Sequence, residues 1–317
     1  MKNNNKSLLT FGFYNLENLF DTENNPFTAD DDFLPSSRKR WTEKRYQNKI
    51  FKIGKVISEM GVVFENEIPT VLGLAEVENK SVLEDLLAND FLKDYPLNYI
   101  HYDSSDDRGI DTALIYNEEI FEVLSSETFS VMIYDENNNR DYTRDILLVS
   151  GKVNSEIIHI LVNHWPSRRG GELETNFKRV TAAEKLIEII NQITLQGNEA
   201  KIIVMGDFND NPWSESICSV EENCNLFNPF KNISTESRGS LNHNFKWFLF
   251  DQILLSKSFF DDGNSEFSYV ESNIFDEIFL KQYRGKFKDQ PFRTYVGKKY
   301  KGGYSDHFPV YVNFKIK

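Results

Sequence analysis

The sequence predicts a mixed α/β (α+β) chain in which short strands gather into sheets and helices pack on their outer faces. Three observations predict it. The strand-like segments are short, and either alternate apolar with polar residues or are wholly apolar. A few longer segments repeat apolar residues at helical spacing, and the two kinds intermingle without the regular rhythm of a doubly wound parallel sheet. The composition also allows a large core, since 40% of the 317 residues are apolar and Phe and Tyr number 26 and 14. No linker, repeat or low-complexity tract divides the chain, so a single domain over residues 1–317 is expected.

In chain order, "LLTFGFYN" is the first strand, ending at Asn15 with Glu17 and Asn18 beyond it. "TEKRYQNKIFKIGKVISEMG" repeats Ile50, Ile53, Ile57 and Met60 at helical spacing, with Thr42 to cap its start and Gly61 as a left-handed stop. "TVLGLAEVEN" is a strand, "SVLEDLLAND" a short helix, and "IDTALIYN" and "IIHILVNHW" are strands. The helix in "ETNFKRVTAAEKLIEIINQI" is expected to run from Glu172 with Phe177, Val180, Ala183, Ile187 and Ile190 on one face. "KIIVMGDFN" and "FDQILLS" follow as strands, and "KWFLF" (Lys246 to Phe250) reads as a buried strand. The C-terminal "HFPVYVNFKIK" alternates cleanly, with Phe308, Val310, Val312, Phe314 and Ile316 on one side.

Charge and targeting signals exclude several classes. The net charge of −13 argues against a protein that coats nucleic acid through bulk attraction. From Lys281 to Gly303, however, eight Lys or Arg stand against one acid, with Tyr and Phe interleaved. Such a segment is a candidate contact for a phosphate backbone, or a solvated loop. No stretch approaches the roughly 20 apolar residues that span a bilayer, so no membrane anchor is expected. The first residues lack the apolar core of a signal peptide, which points to the cytoplasm; a shortened form of a secreted or periplasmic protein would read the same. Cys218 and Cys224 have no zinc spacing and are expected to be reduced thiols, although they could close a small loop in an oxidising compartment.

The chemistry is carried by strand ends. Six strands each place a carboxylate, amide or imidazole at one tip: Asn15; Glu76 with Glu78; Asn163 with His164; Asp207 with Asn209; Asp251; and Asp306 with His307. One such tip is an ordinary solvated cap, but six of this composition form a pattern. Carboxylates and amides are hard oxygen ligands suited to Mg²⁺, Mn²⁺ or Ca²⁺, while few Cys and His disfavour zinc. Two histidines near carboxylates supply acid and base near neutral pH. That equipment suits hydrolysis of a phosphate ester.

The motifs "FYNLENLFDT", "LAEVEN", "NHWPSRRGG", "GDFND" and "SDHFPV", in this order, resemble the endonuclease/exonuclease/phosphatase superfamily with the deoxyribonuclease I-like fold, over Leu8 to Lys317. The resemblance implies a four-layer α/β/β/α sandwich: two packed, mostly antiparallel sheets, helices on both outer faces, and the site at one end. It implies that Glu76 is the main metal ligand, with Asn15 and Asp306 beside it. Asp207 and Asn209 position water and phosphate, and His307 is oriented by Asp251. His164 is implied as general acid, with Asp103 as its supporting carboxylate, and Arg144 as a phosphate contact. Water would then be deprotonated with the help of the His307–Asp251 pair. Lys298 and Lys299 are candidate substrate contacts, and Arg168 to Gly171 is either a further mobile one or a polar turn before the helix from Glu172.

Departures narrow the substrate. "GDFNDNP" and "FDQILL" lack the residues that inositol polyphosphate 5-phosphatases carry there, and "NHWPSRRGG" is similar to bacterial extracellular-nuclease-like members. The expected activity is a Mg²⁺- or Mn²⁺-dependent phosphodiesterase acting on DNA or RNA. The alternatives are an enzyme for a small or lipid-linked phosphate, and a scaffold that binds without catalysis. Oligomeric state is not legible.

Overall fold

Alternating strands with two apolar faces need cover on both sides, and the computed structural model supplies it. It describes residues 8–62, 68–197, 200–260 and 267–316. The stretch at residues 1–7, part of the signal-peptide reading, lies outside them. Twelve strands form two six-stranded sheets: β1 (Leu8–Leu19), β2 (Val71–Val77), β3 (Leu97–His101), β4 (Asp111–Asn117), β5 (Glu122–Phe129), β6 (Ile146–Val153), β7 (Glu156–His164), β8 (Lys201–Asp207), β9 (Leu226–Phe227), β10 (Asp251–Ser256), β11 (Phe267–Ile274) and β12 (Val310–Ile316). One sheet runs β11-β12-β1-β2-β4-β3 and the other β9-β10-β8-β7-β6-β5. Within each, one pair is parallel, β1 with β2 and β7 with β8, and the remaining pairs are antiparallel.

The period of two sorts the second sheet's residues between two cores. Val162, Ile203, Met205, Ile253 and Leu255 face the first sheet and join Phe11, Phe13, Leu74 and Val312 in one cluster. Leu161, Ile202, Val204 and Leu254, one residue out of phase, face α3 (Asn176–Gln196) and α4 (Glu215–Cys224). Helices α1 (Glu43–Val62) and α2 (Lys80–Leu87) add Ile50, Ile53, Ile57, Met60, Val82 and Leu86 to the cluster of the first sheet. The layers are therefore helix, sheet, sheet, helix, as expected. Asn79 caps α2 by accepting from Val82 N. Among the described residues, no helix is long and apolar enough to cross a membrane.

Several boundaries differ from expectation. β1 does not end at Asn15 but continues to Leu19, because pairing with β2 resumes beyond a bulge. Gly61 lies inside α1, which runs to Val62. α3 begins at Asn176 rather than Glu172, and its buried face carries Arg179, Ala182, Ala183, Leu186, Ile189 and Ile190, leaving Phe177 exposed. The buried guanidinium of Arg179 pairs with Asp210 at 2.9 Å, which rotates the face away from the purely apolar stripe. Lys246–Phe248 forms a short hairpin with Leu241–His243; only Leu249 and Phe250 are buried. Cys218 and Cys224 are free, and both sit on α4. At 1.5 Å rise, six helical residues separate their Cα atoms by about 9 Å, beyond disulfide reach.

Gly206 sits where β8 presses on β7. A Cβ there would lie 2.4 Å from the backbone oxygen of Asn163. Gly206→Ala should therefore destabilise the fold by about 1–3 kcal/mol through overpacking, read as a lower midpoint in urea.

Candidate active site

Strand register brings the polar tips together. His164 stands opposite Asp207 in the parallel pair β7/β8, and Asp207 opposite Asp251 in the antiparallel pair β8/β10. Residues abreast in a sheet point to the same face. The three thus extend, by one step of two residues, the row Val162–Met205–Ile253 that faces the other sheet. They are the polar end of an apolar row, and all three are buried.

The first sheet supplies the opposite wall. Asn15 Nδ2 donates to Asp207 Oδ2 at 3.0 Å, and Asn15 Oδ1 accepts from Glu17 N at 3.0 Å. Beyond Asn15 the register between β1 and β2 shifts. Glu17, Asn18 and Glu76 absorb the shift in left-handed conformations, with φ of 51°, 55° and 64°. For a non-glycine such a backbone costs about 1–3 kcal/mol. Here it turns Glu76 into the site: Oε2 accepts from Asn18 N at 2.6 Å, and Oε1 lies 4.0 Å from His164 Nε2.

His307 does not lie within the last strand; it forms an isolated bridge with Leu241, and β12 starts at Val310. Its Nδ1 meets Asp251 Oδ2 at 2.7 Å, while Nε2 lies 3.9 Å from both Asp207 Oδ2 and Asp306 Oδ1. His164 Nε2 lies 3.8 Å from the same Asp207 oxygen. Asn209, with φ of 51°, donates its side-chain amide to Trp165 O at 3.0 Å, and its backbone N–H donates to Asp207 Oδ1 at 2.9 Å.

The charges differ between the histidines. Burial lowers the basicity of His307, but Asp251, Asp207 and Asp306 outweigh it and hold the ring well above its usual pKa. Burial, with the cations Arg144, Arg108 and His307 nearby, holds His164 well below its own. Burial also pushes Asp207 up to about 7, against the pull of His307. At neutral pH the site contains an imidazolium at His307, a neutral His164 and an Asp207 near its midpoint.

Other expected residues fall in different places. Asp103 does not support His164: it stands 3.9 Å from His101 Nδ1 with its side chain 83% exposed. The loop between β3 and β4 points a different carboxylate inward, Asp106, which pairs with Arg144 at 3.1 Å. Arg144 also donates to Trp165 O at 2.9 Å. Arg168 is not a free arm, because it bonds Asp210 and Asn209 O, both at 2.7 Å. Lys298 and Lys299 are exposed on the hairpin joining Tyr295–Val296 to Lys299–Tyr300. The base of that segment is tied to the site, since Arg293 pairs with Asp306 at 2.8 Å and Thr294 N donates to Glu17 Oε2.

Sequence reasoning missed Lys49 and Arg108, and noted Glu17 without giving it a part. Burial and Asp306 raise Glu17 to about 7, and burial lowers Lys49 to about 8 although Glu17 and Asp306 oppose it. Lys49 Nζ bonds Thr294 Oγ1 and Tyr304 O and lies 3.8 Å from Glu17. A lysine on the apolar stripe of α1 was its signal. Arg108, which donates to Asn18 Oδ1, had none.

The donor set fits a divalent cation. Glu17, Asp306 and Glu76 act together on the buried ammonium of Lys49. Glu76 Oε1 and Asp306 Oδ1 have no hydrogen bond among the described residues and are hard oxygens of the kind magnesium or manganese takes. Asp207, Asp251 and His307 also approach one another closely, but His307 Nδ1 and Asp251 Oδ2 are taken up by each other.

A profile of the Endonuclease/Exonuclease/phosphatase family matches residues 10–316. No curated protein matches the chain in sequence. Among solved structures, an endonuclease/exonuclease/phosphatase from Bacteroides vulgatus superposes with a TM-score of 0.60 at 16% identity, covering 98% of this chain and 100% of that one. D. rerio TDP2 complexed with a single-strand DNA product gives 0.58 at 12% identity, covering 98% and 99%. The mannosyl-6-phosphatase Bt3783 of Bacteroides thetaiotaomicron gives 0.57 at 16% identity, covering 96% and 99%. At these identities the likeness concerns the fold.

Asp207 couples stability to pH. A buried carboxyl raised to about 7 favours the folded state while protonated and is lost as a stabilising group as pH rises from its unfolded value, about 4, through 7. With chelator present, Asp207→Asn should melt at the wild-type temperature near pH 4 and progressively above it towards pH 8.

Proposed function

We propose that this chain, which belongs to the endonuclease/exonuclease/phosphatase family of metal-dependent phosphoester hydrolases, cleaves phosphodiester bonds of DNA or RNA with magnesium. The observation that carries the reading is Asp207 Oδ2, held by Asn15 between the Nε2 atoms of His164 and His307 and beside the uncommitted Glu76 Oε1.

Glu76 and Asp306, with Asn15 adjacent, would hold the ion. When bound, it supplies charge neutralisation at the phosphoryl and departing oxygens, commonly a large part of catalysis. His307 as imidazolium, fixed by Asp251, hydrogen-bonds a phosphoryl oxygen. Asp207, near its midpoint at neutral pH, takes a proton from the attacking water. His164, held neutral, contributes a hydrogen bond rather than acting as the general acid expected of it, and Asp207 takes the proton-accepting part expected of the His307–Asp251 pair. Arg144 and Asn209 border the same space, where Trp165 O gathers both.

The basic segment Lys281–Gly303, anchored at Asp306 and Glu17, is the side from which a polyanion would approach. The D. rerio TDP2 neighbour, complexed with a single-strand DNA product, agrees with this reading. One observation favours a smaller phosphoester: on another side, carboxylates of Asp21, Glu23, Asp103 and Asp107 line an open hollow that would repel a long strand. A panel of plasmid, single strands, RNA and sugar phosphates separates the two. Turnover confined to sugar phosphates would exclude the nuclease reading.

His307→Ala and Asp207→Ala should each lower kcat/KM by about 10²–10⁴-fold in a folded protein. The wild-type rate should rise through pH 7 as Asp207 ionises, and that limb should vanish from the residual rate of Asp207→Ala. Reversing the charge at Lys298 and Lys299 should weaken nucleic-acid turnover and flatten its dependence on salt.

A further inference from the structure

We infer that a second divalent cation, of the zinc or manganese type, binds where β3 ends and β4 begins, held by His101, Asp103 and Asp111. The central observation is His101. It is 5% exposed, its side chain is wholly buried, and neither ring nitrogen has a hydrogen-bond partner. A buried imidazole without partners costs free energy that a close-packed sheet edge has no reason to carry. Yet carboxylates stand on both sides of the ring, with Asp111 Oδ2 3.5 Å from Nε2 and Asp103 Oδ1 3.9 Å from Nδ1.

The 3.5 Å between Asp111 Oδ2 and Nε2 is too long for a good hydrogen bond but matches two donors around an ion bound at Nε2 alone, since one ring nitrogen serves one ion. Two ligands with bonds of about 2.0–2.1 Å to a tetrahedral cation lie about 3.3 Å apart. One ligand atom from each of the three residues falls within 4.8 Å of the others. The rest of Asp111 is already fixed, because Oδ1 accepts from Ser104 N at 3.1 Å and so aims Oδ2 at the ring. Asp103, on an exposed side chain, can close from outside. Asp103 and Asp111 border the acidic hollow, of about 610 Å³, whose carboxylates would draw cations in and leave room for water as further ligands.

An imidazole among carboxylates selects first-row transition ions over magnesium and calcium. The place has a consequence for the phosphoester site. The loop from Tyr102 to Ile110 carries Asp106, which holds Arg144, and Arg108, which donates to Asn18 beside Glu76. An ion across His101 and Asp111 would clip the base of that loop and fix both arginines beside His164 (a structural role, separate from the reaction).

The test uses the full chain, stripped with chelator and dialysed against Zn²⁺ with excess Mg²⁺ to fill the oxygen-only site. Metal analysis should find one Zn²⁺ per chain, and Zn²⁺ should raise the melting temperature. His101→Phe and Asp111→Asn should abolish retention. Asp103→Ala, on an exposed side chain that leaves folding intact, should weaken binding by about tenfold or more, while His307→Ala should retain the ion. No zinc held by wild type, retention unchanged in Asp103→Ala and His101→Phe, or loss confined to His307→Ala would each overturn the assignment.

Discussion

The hydrogen bond from Asn15 Nδ2 to Asp207 Oδ2 joins the two sheets where both run out of apolar residues. Its partners are 192 positions apart in the chain, and it is buried. Between the sheets behind it lie Phe13, Val162, Met205 and Ile253, which set the spacing of the layers by close packing. The site's geometry is thus inherited from the core. Asp207 is held on one side by the neighbouring strand's register and on the other by an amide of the opposite sheet, so neither sheet can slide without moving it.

Such a site concentrates unfavourable terms. Left-handed Glu17, Asn18 and Glu76, buried carboxyls at Glu17 and Asp207, and a buried Lys49 each oppose folding taken singly. The surrounding sandwich offsets them through apolar burial. They cluster where the two parallel strand pairs end, at the site proposed for the reaction, and such strain and displaced acidity persist only where the fold over-determines them. The divided charge follows from neighbours rather than from residue type: one histidine faces three carboxylates, the other two arginines.

Much of this organisation was legible in the chain. Seven of the strands and all three helices read from the sequence formed. The errors fell where a polar partner overrode the pattern. The stripe on α3 turned because the Arg179 guanidinium was drawn inward to Asp210. β1 outran its expected end because a bulge let pairing resume at Leu19. Asp103 was placed at His164 by its position in the chain, but a loop's side chains have no period from which direction can be read, and Asp106 points inward instead.

The sequence by itself determined the strands, the layer each face would seek and the polar residues at the strand tips, because periodicity and side-chain chemistry are local properties. Only the tertiary structure decided which tips meet. Strand order and register set His164, Asp207 and Asp251 abreast, and long-range burial with neighbouring charge set their protonation. Both depend on residues hundreds of positions apart, and a linear reading has no measure of that distance.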